Sequence, residues 1–255
     1  MKVLILAGGF GTRLSEYTNE IPKPMVPIGN IPIIVHIMSL YAKYGYKEFV
    51  VATGYKSNII NDYFKDKSKN IKTLSEIKVE LEFQFNANNS SDVWKITLLY
   101  TGEKTMTGGR VKRAKDEIKE SKFLMTYGDG ISNIRIDDLV DHHSASKKLA
   151  TLSAVRPPVR FGELELDGIN VTNFAEKPRL QKGWINGGFF VFERDIFDFI
   201  GGDEIMLERE PLEKLVEINQ LVAYKHNNFW QCMDTKRDKD TLEEMWISKK
   251  IPWLE

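Results

Sequence analysis

The sequence has one cysteine, Cys232, among its 255 residues, so no disulfide can form within the chain. That count favours a reducing compartment, and we expect a cytoplasmic protein. No apolar run approaches the roughly 20 residues that a helix needs to span a bilayer, so we expect no membrane partner. The apolar stretch at residues 3–7 ends in two glycines without a small-residue cleavage pattern, so we expect no secretory signal there.

An excess of charge of either sign is also missing. The chain has 36 basic and 36 acidic residues, which gives a formal net charge of zero. Proteins that bind nucleic acids usually carry a basic excess that neutralises phosphates, so we expect no nucleic-acid partner.

Cysteine and histidine are sparse, with one and four residues. Cys232 lies beside Met233 in an apolar stretch, where we expect a core side chain rather than a catalyst. His142 and His143 lie on a polar helical pattern and are expected to be exposed. No Ser/His/Asp or Cys/His arrangement is suggested, so the sequence does not favour covalent catalysis.

The first half of the chain alternates between strand and helix patterns. Residues 2–7 and 48–53 are continuous apolar runs closed by glycines, as in strands buried on both faces of a parallel sheet. Residues 33–44 between them have helical spacing of apolar positions. We expect Gly108 and Gly109 to open a basic helix over residues 110–119. The polar segment at residues 66–78 predicts a loop or a mobile insert.

The second half has more antiparallel character. Asp167 and Gly168 separate two short strand patterns and predict a hairpin turn, because both tolerate positive φ. Residues 184–192 form another strand pattern. The sequence therefore predicts a single α/β domain over residues 1–255, with a Rossmann-like, mostly parallel sheet flanked by helices and a small antiparallel annex in the second half.

A glycine-rich loop follows the first strand, where ligands bind in doubly wound sheets. Gly8, Gly9 and Gly11 allow close backbone approach to a phosphate or a base, and Arg13 adds a guanidinium suited to phosphate. Thr12-Arg13-Leu14 replaces the third glycine of a dinucleotide fingerprint, and no Gly-Lys-Ser/Thr of a P-loop occurs. The alternative is a tight turn with an exposed arginine, which the following Pro-Lys-Pro segment disfavours.

Lys23 lies between two prolines that stiffen the backbone. A lysine held in this way is suited to stabilise charge at an α-phosphate during nucleotidyl transfer. From the residues alone, a solvated lysine in a rigid loop is an equally good interpretation.

Asp129 follows a strand pattern at residues 123–127 and should lie at the same sheet edge as the glycine loop. Asp234 follows an apolar-aromatic stretch much later in the chain. Mg²⁺ takes one or two carboxylates plus phosphate oxygens, so a magnesium site is one interpretation. Capping or turn aspartates are the other.

Several segments resemble the signatures of nucleotidyltransferases that make activated sugars. Residues 8–14 and 22–25 match the superfamily in general, and residues 105–110 and 126–130 point to its cytidylyl branch. The further matching segments are residues 160–162, 174–178, 185–190, 229–231 and 233–235. The resemblance implies transfer from CTP to glucose 1-phosphate, with residues 1–150 as a nucleotide-binding half and residues 151–255 as a sugar-binding half. It also implies a homo-oligomer, a hexamer by analogy.

The resemblance also assigns roles to individual residues. Arg13 and Lys23 are the expected catalytic cations, and Asp129 and Asp234 are the expected Mg²⁺ ligands. The expected nucleotide-binding residues are Leu6, Ala7, Gly8, Gly9, Gly11, Thr12, Thr105, Gly109, Arg110 and Gly128. The expected sugar-binding residues are Glu176, Lys177, Asn186, Gly187 and Gly188.

Alternatives remain open at this level. Glu176 and Lys177 also fit a surface charge pair before a proline, and Gly187-Gly188 also fits a bulge needed only for packing. Arg110 is expected at the start of its helix, where the N-terminus attracts anions. The same fold could use UTP, dTTP, GTP or another sugar phosphate, or serve as a catalytically silent nucleotide-sensing subunit.

Overall fold

The computed structural model describes residues 1–87, 90–157, 163–175 and 183–255. Within these residues the strands are β1 (Val3–Ala7), β2 (Pro27–Ile28), β3 (Ile31–Pro32), β4 (Glu48–Thr53), β5 (Ser68–Ser75), β6 (Lys78–Ala87), β7 (Ser90–Tyr100), β8 (Lys122–Tyr127), β9 (Gly130–Ser132), β10 (Ala150–Val155), β11 (Glu163–Asp167), β12 (Asn170–Ala175), β13 (Ile185–Glu193), β14 (Leu221–His226) and β15 (Trp230–Cys232).

The α-helices of the described residues are α1 (Ser15–Thr18), α2 (Ile33–Lys43), α3 (Ser57–Asp66), α4 (Thr107–Arg113), α5 (Ile136–Ser146), α6 (Glu210–Glu217) and α7 (Lys236–Ile247). Short 3₁₀ turns lie at Thr12–Leu14, Lys23–Met25 and Arg194–Phe199. None of the helices in this part of the chain is long and apolar enough to cross a membrane.

A nine-stranded sheet organises the molecule, in the order β14-β10-β13-β8-β1-β4-β7-β6-β5. Its four central strands, β8, β1, β4 and β7, are parallel to one another. β13 joins them antiparallel to β8, and β6 joins antiparallel to β7. The predicted α/β fold with a central parallel sheet is therefore confirmed, and the small two-stranded sheet β11–β12 is the antiparallel annex.

The strands β1, β4 and β8 consist mainly of apolar residues because helices cover both faces of the sheet. In β1, Val3 and Ile5 belong to one hydrophobic cluster and Leu4 and Leu6 to the other. The first cluster includes apolar side chains of α2, α3, α5 and α7, and the second includes side chains of α4 and α6. This continuous burial is what the unalternating runs in the sequence predicted.

Two of the predicted element boundaries are wrong. Residues 66–78 are not a loop, because β5 forms the edge of the large sheet and pairs antiparallel with β6. An edge strand pairs with another strand on one side only, so the polar and lysine-rich composition of β5 is compatible with pairing.

The predicted helix over residues 110–119 instead runs from Thr107 to Arg113. A Cβ on Gly108 or Gly109 would approach the backbone of residues 203–205 to within 2.7 Å, so the glycines serve packing inside the helix.

Two smaller predictions are also wrong. The hairpin turn is Gly168-Ile169 rather than Asp167-Gly168, because Asp167 pairs with Asn170, and only Gly168 has a positive φ there. His143 is 1% exposed, since α5 packs on β10 and β13. Its ring nitrogens face Thr151 Oγ1 at 2.9 Å and Glu193 Oε1 at 3.2 Å.

Candidate active site

A cavity of about 900 Å³ opens at the carboxyl ends of β1 and β8, where the topology of a parallel sheet places ligand sites. Sixteen of the residues predicted from the sequence line it together: Leu6, Ala7, Gly8, Gly9, Gly11, Thr12, Arg13, Lys23, Thr105, Arg110, Gly128, Asp129, Asn186, Gly187, Gly188 and Asp234. Gly109 does not line the cavity, and Glu176 and Lys177 lie outside the described residues. The volume is of the size that small-molecule sites have.

The glycine-rich loop is held from behind by backbone contacts. The Gly8 carbonyl accepts a hydrogen bond from the amide of Tyr55 at 3.2 Å. Gly11 has φ 65° and precedes the 3₁₀ turn at Thr12–Leu14, a conformation that favours glycine. Its carbonyl accepts from the Leu14 amide and the Thr18 hydroxyl. At Gly9 an added Cβ would meet nothing within 4 Å, so this position faces open space.

Arg110 lies behind this loop and is 4% exposed. It is the fourth residue of α4, so the expectation that it begins the helix is wrong. Its guanidinium donates to Thr53 O, the Thr101 hydroxyl, Gly102 O, Gly8 O and Glu103 O, at distances from 2.7 to 3.2 Å. In this structure the guanidinium therefore ties together the ends of β1, β4 and β7. A direct contact of Arg110 with a nucleotide stays a prediction.

Burial lowers the pKa of the Arg110 guanidinium below its usual value. No carboxylate of the described residues lies within salt-bridge distance of it. The position of the Arg110 guanidinium also explains why two nearby residues are glycine. A Cβ on Gly8 or Gly54 would lie within 2.4 Å of a guanidinium nitrogen.

Lys23 lies deeper in the cavity, between two carboxylates. Its Nζ donates to Asp129 Oδ2 at 2.7 Å and to Asp234 Oδ1 in a shorter contact. Arg13 Nη1 binds the other oxygen of Asp234 at 2.7 Å. Burial alone lowers the pKa of the Lys23 ammonium, but the charges and hydrogen bonds of the two aspartates outweigh burial and raise it above the usual value. Lys23 is therefore protonated at neutral pH.

The two aspartates meet although 105 positions separate them, because β9 and β15 form a short antiparallel pair. The Met233 amide donates to Asp129 O at 2.9 Å and fixes the register next to Asp234. Asp234 then precedes α7, whose capping box joins Thr235 and Asp238. The Asp238 carboxylate also accepts from the Asp234 amide at 3.2 Å, which holds Asp234 at the cavity wall.

The donor set fits a hard divalent cation in part. Asp129 and Asp234 supply two carboxylates in a partly exposed position, with side-chain exposures of 29% and 17%. The described residues contain no cluster of three or more metal-binding side chains, so the remaining ligands would have to be water or phosphate oxygens. Mg²⁺ is bound in that way by one or two carboxylates and a nucleotide.

The opposite wall is formed by Asn186, Gly187 and Gly188 in a bulge of β13, where the pairing with β10 is interrupted. Trp230 Nε1 donates to the Gly187 carbonyl at 2.7 Å. Gly188 has φ 81°, and a Cβ there would lie 2.7 Å from the ring of Tyr127. The close approach of this ring is a second reason for glycine at that position.

Several side chains of this cavity were not predicted from the sequence. Tyr127, Trp230 and Thr107 line it, and Phe10, 44% exposed, packs its ring 5.2 Å from that of Tyr55. The aromatic residues lie inside segments that resemble the family, but nothing in their spacing distinguishes a cavity wall from a core.

Cys232 also borders the cavity, although it is half-buried. Burial, followed by the charges of Asp234 and Asp129, raises the pKa of its thiol to about 12. The thiol is therefore protonated at neutral pH and poorly suited to act as a nucleophile, in line with the expectation from the sequence.

Comparison with known proteins identifies the family of the chain. The family model described as nucleotidyl transferase matches residues 2–247. A glucose-1-phosphate cytidylyltransferase of Salmonella typhi is 43% identical over 254 residues, which cover 99% of this chain and 98% of the relative. The enzyme of the same description from Salmonella typhimurium is also 43% identical, with the same coverage.

Solved structures share the fold. The crystal structure of HddC from Yersinia pseudotuberculosis superposes with a TM-score of 0.70 and 24% identity, over 96% of this chain and 99% of that one. The family match over residues 2–247 and the two relatives at 43% identity show that the chain belongs to the nucleotidyl transferase family.

Proposed function

We propose that this chain joins CTP to α-D-glucose 1-phosphate, forming CDP-glucose and releasing pyrophosphate. The observation that carries the proposal is a single cavity holding the glycine-rich loop, Lys23 and the Asp129–Asp234 pair. The 43% identity to the Salmonella cytidylyltransferases over nearly the full length supports the choice of substrates.

The proposed chemistry is direct in-line transfer. An oxygen of the sugar phosphate attacks the α-phosphorus of the nucleotide, the bond to the bridging oxygen breaks, and pyrophosphate leaves with its charge. The attacking oxygen is already ionised near neutral pH, so no general base is needed. Catalysis then depends on positioning and on electrostatic stabilisation of the transition state.

The cations of the cavity have distinct roles in this proposal. The glycine-rich loop binds the nucleotide through its backbone amides, with Gly9 open toward the cavity. Lys23 stabilises the α-phosphoryl oxygens, and Arg13, whose side chain is 75% exposed, turns toward the leaving pyrophosphate. Both cations must loosen their contacts with Asp234 to do so.

Asp129 and Asp234 are the proposed holders of Mg²⁺. When bound, the metal would offset charge on the triphosphate and at the α-phosphorus. As the nucleotide engages Lys23 and Arg13, the two aspartates lose their present partners, and their carboxylates become free to hold a cation.

The proposed sugar site is the wall formed by Asn186, Gly187 and Gly188, and the resemblance adds Glu176 and Lys177, which lie outside the described residues. A homo-oligomer stays a prediction of the resemblance, which sedimentation velocity would test directly.

Pyrophosphate release measured with Mg²⁺ and glucose 1-phosphate tests the proposal, with CTP, UTP, dTTP, ATP and GTP in parallel. We expect release with CTP. Release with another triphosphate alone would keep the mechanism and overturn the choice of base. Nucleotide binding without release from any triphosphate or sugar phosphate would instead support a regulatory subunit.

A further inference from the structure

Glu208 lies behind the cavity wall, in the segment between the 3₁₀ turn Arg194–Phe199 and α6. Glu208 does not line the cavity. Each oxygen of its carboxylate accepts a hydrogen bond from the hydroxyl of a residue that does line it. The Tyr127 hydroxyl donates to Oε1, and the Thr107 hydroxyl donates to Oε2 at 2.6 Å. No lysine or arginine of the described residues forms a salt bridge with this carboxylate.

The first arm of this network leads to the proposed sugar wall. Asn186 Nδ2 donates to the Tyr127 hydroxyl at 3.4 Å, and Asn186 Oδ1 accepts from the Gly188 amide at 2.9 Å. The Tyr127 ring is fixed by an edge contact with Phe190, with ring centres 5.9 Å apart. Glu208 therefore determines where the Tyr127 hydroxyl points, and Tyr127 in turn supports the amide of Asn186.

The second arm leads to the start of α4. Thr107 Oγ1 accepts from the Leu207 amide at 2.9 Å while it donates to Glu208. The Met106 amide donates to the Asp203 carbonyl at 2.7 Å. The segment that carries Glu208 is thus attached to both sides of the cavity.

The Glu208 carboxylate determines the direction of the two hydrogen bonds that it accepts from Tyr127 and Thr107. Tyr127 and Thr107 each have one hydroxyl proton, and both protons point to a group that can only accept. Burial, followed by the charge of Glu208, raises the pKa of the Tyr127 phenol above its usual value, so the hydroxyl keeps its proton at neutral pH. The hydroxyl oxygen of Tyr127 can therefore accept the hydrogen bond from Asn186 Nδ2.

We propose that Glu208 is a positioning residue for the sugar phosphate, acting through Tyr127 and Asn186 without touching the substrate. The inference rests on the proposed function. Glutamine at position 208 has the same shape but presents a donor to one hydroxyl, and that hydroxyl must then turn its proton away. The change should disturb the orientation of Tyr127 and Asn186 and leave the glycine-rich loop intact.

The test is steady-state kinetics of Glu208→Gln with each substrate varied separately. We expect the KM for glucose 1-phosphate to rise by about tenfold to a hundredfold, the loss expected for a hydrogen bond to a charged group, while the KM for CTP is unchanged. Glu204→Gln is the matched control, since Glu204 is exposed in the same segment and should leave both KM values as in the unchanged chain.

A double-variant cycle distinguishes this role from general loosening. Tyr127→Phe removes the hydroxyl, so adding Glu208→Gln to it should raise the KM for the sugar phosphate no further. Equal increases in both KM values, or full additivity in the double variant, would overturn the proposal. So would an unchanged sugar KM in Glu208→Gln.

Failure of the proposed function is recognised separately, in the unchanged chain. If that chain releases pyrophosphate with a different sugar phosphate, the same comparison of KM values is made with that substrate. If it releases none with any substrate, the proposed reaction fails, and with it the role of Glu208. If Glu208→Gln does not fold, Tyr127→Phe alone must show the selective rise in sugar KM, and its absence contradicts the inference.

Discussion

Two buried cations border the same cavity and are stabilised in different ways. Lys23, 8% exposed, lies between the carboxylates of Asp129 and Asp234. Arg110, 4% exposed, donates only to carbonyl and hydroxyl oxygens among the described residues. The first cation belongs to a cluster of compensating charges, whereas the second belongs to a network of neutral acceptors.

This difference distinguishes a cation suited to the proposed reaction, Lys23, from a cation that stabilises the fold, Arg110. Charges in the Lys23 cluster can be redistributed, because a phosphate that approaches Lys23 replaces one anionic partner with another. The donors of Arg110 are used by five backbone and side-chain oxygens at the ends of three strands, so moving it would leave those oxygens unpaired. We therefore expect substitutions of Lys23 to lower the rate and substitutions of Arg110 to lower stability.

The largest effect is expected for Lys23→Ala. Removing one preorganised cation from the transition state should lower kcat by about a hundredfold to a thousandfold, measured as pyrophosphate release. The control is Lys236→Ala, because Lys236 pairs with Asp240 on the exposed face of α7 and should not affect kcat. A Lys23→Ala protein with the circular dichroism and the kcat of the unchanged chain would remove Lys23 from the mechanism.

Arg110→Met should lower the free energy of unfolding by about 2–4 kcal/mol, because several buried oxygens lose their donors. Urea denaturation measures this directly. Arg113→Met is the matched control from the same helix, since Arg113 is 47% exposed and pairs with Asp203, so its loss should cost less than about 1 kcal/mol. Equal losses in the two variants would contradict the role of Arg110 as the link between strand ends.

Neighbouring glycines provide a sharper test of the same packing. Gly8→Ala would place a Cβ 2.1 Å from Arg110 Nη1 and should destabilise the chain by about 1–3 kcal/mol. Gly9→Ala meets nothing within 4 Å and should change stability by less than about 0.5 kcal/mol. Thermal unfolding of the two variants measures the difference, and a Gly9→Ala protein as unstable as Gly8→Ala would speak against the packing.

The smallest expected effect is the pH dependence of the stability that Lys23 contributes. Because its pKa is raised in the folded chain, Lys23 contributes stability fully below its usual value of 10.5 and loses it as pH rises through the folded value. The difference in unfolding free energy between the unchanged chain and Lys23→Ala should therefore be constant at neutral pH and shrink above about pH 10.5. A free-energy difference that grows above about pH 10.5 would contradict a raised pKa of Lys23 in the folded chain.

Much of the fold could be predicted from local patterns. The apolar runs of β1, β4 and β8 indicate strands buried on both faces, and the glycines after β1 indicate a loop at the ligand-binding edge. The segment at residues 66–78 could not be assigned in this way, because an edge strand with an exposed, polar face lacks the alternation that identifies a half-buried strand.

Side-chain roles stayed open even where a rigid loop limits the possibilities, because Lys23 between its prolines fits a solvated lysine equally well, and its expected role came only from the resemblance. They were not predictable where burial depends on distant segments. His143 looked exposed because its own helix is polar, but α5 places it against β10 and β13. Gly108 and Gly109 do lie in the first turn of α4, but the close backbone of residues 203–205 that requires glycine there could not be predicted from the sequence.

By itself the sequence determined the central strands, the glycine-rich loop and the resemblance to sugar nucleotidyltransferases, because these depend on short segments with their own conformational preferences. Tertiary structure alone decided that β15 pairs with β9 and brings Asp234 to Asp129, and that Glu208 holds Tyr127. Contacts between residues about 80 to 105 positions apart leave no periodicity in a single sequence. They arise only when the strands pair and the helices pack.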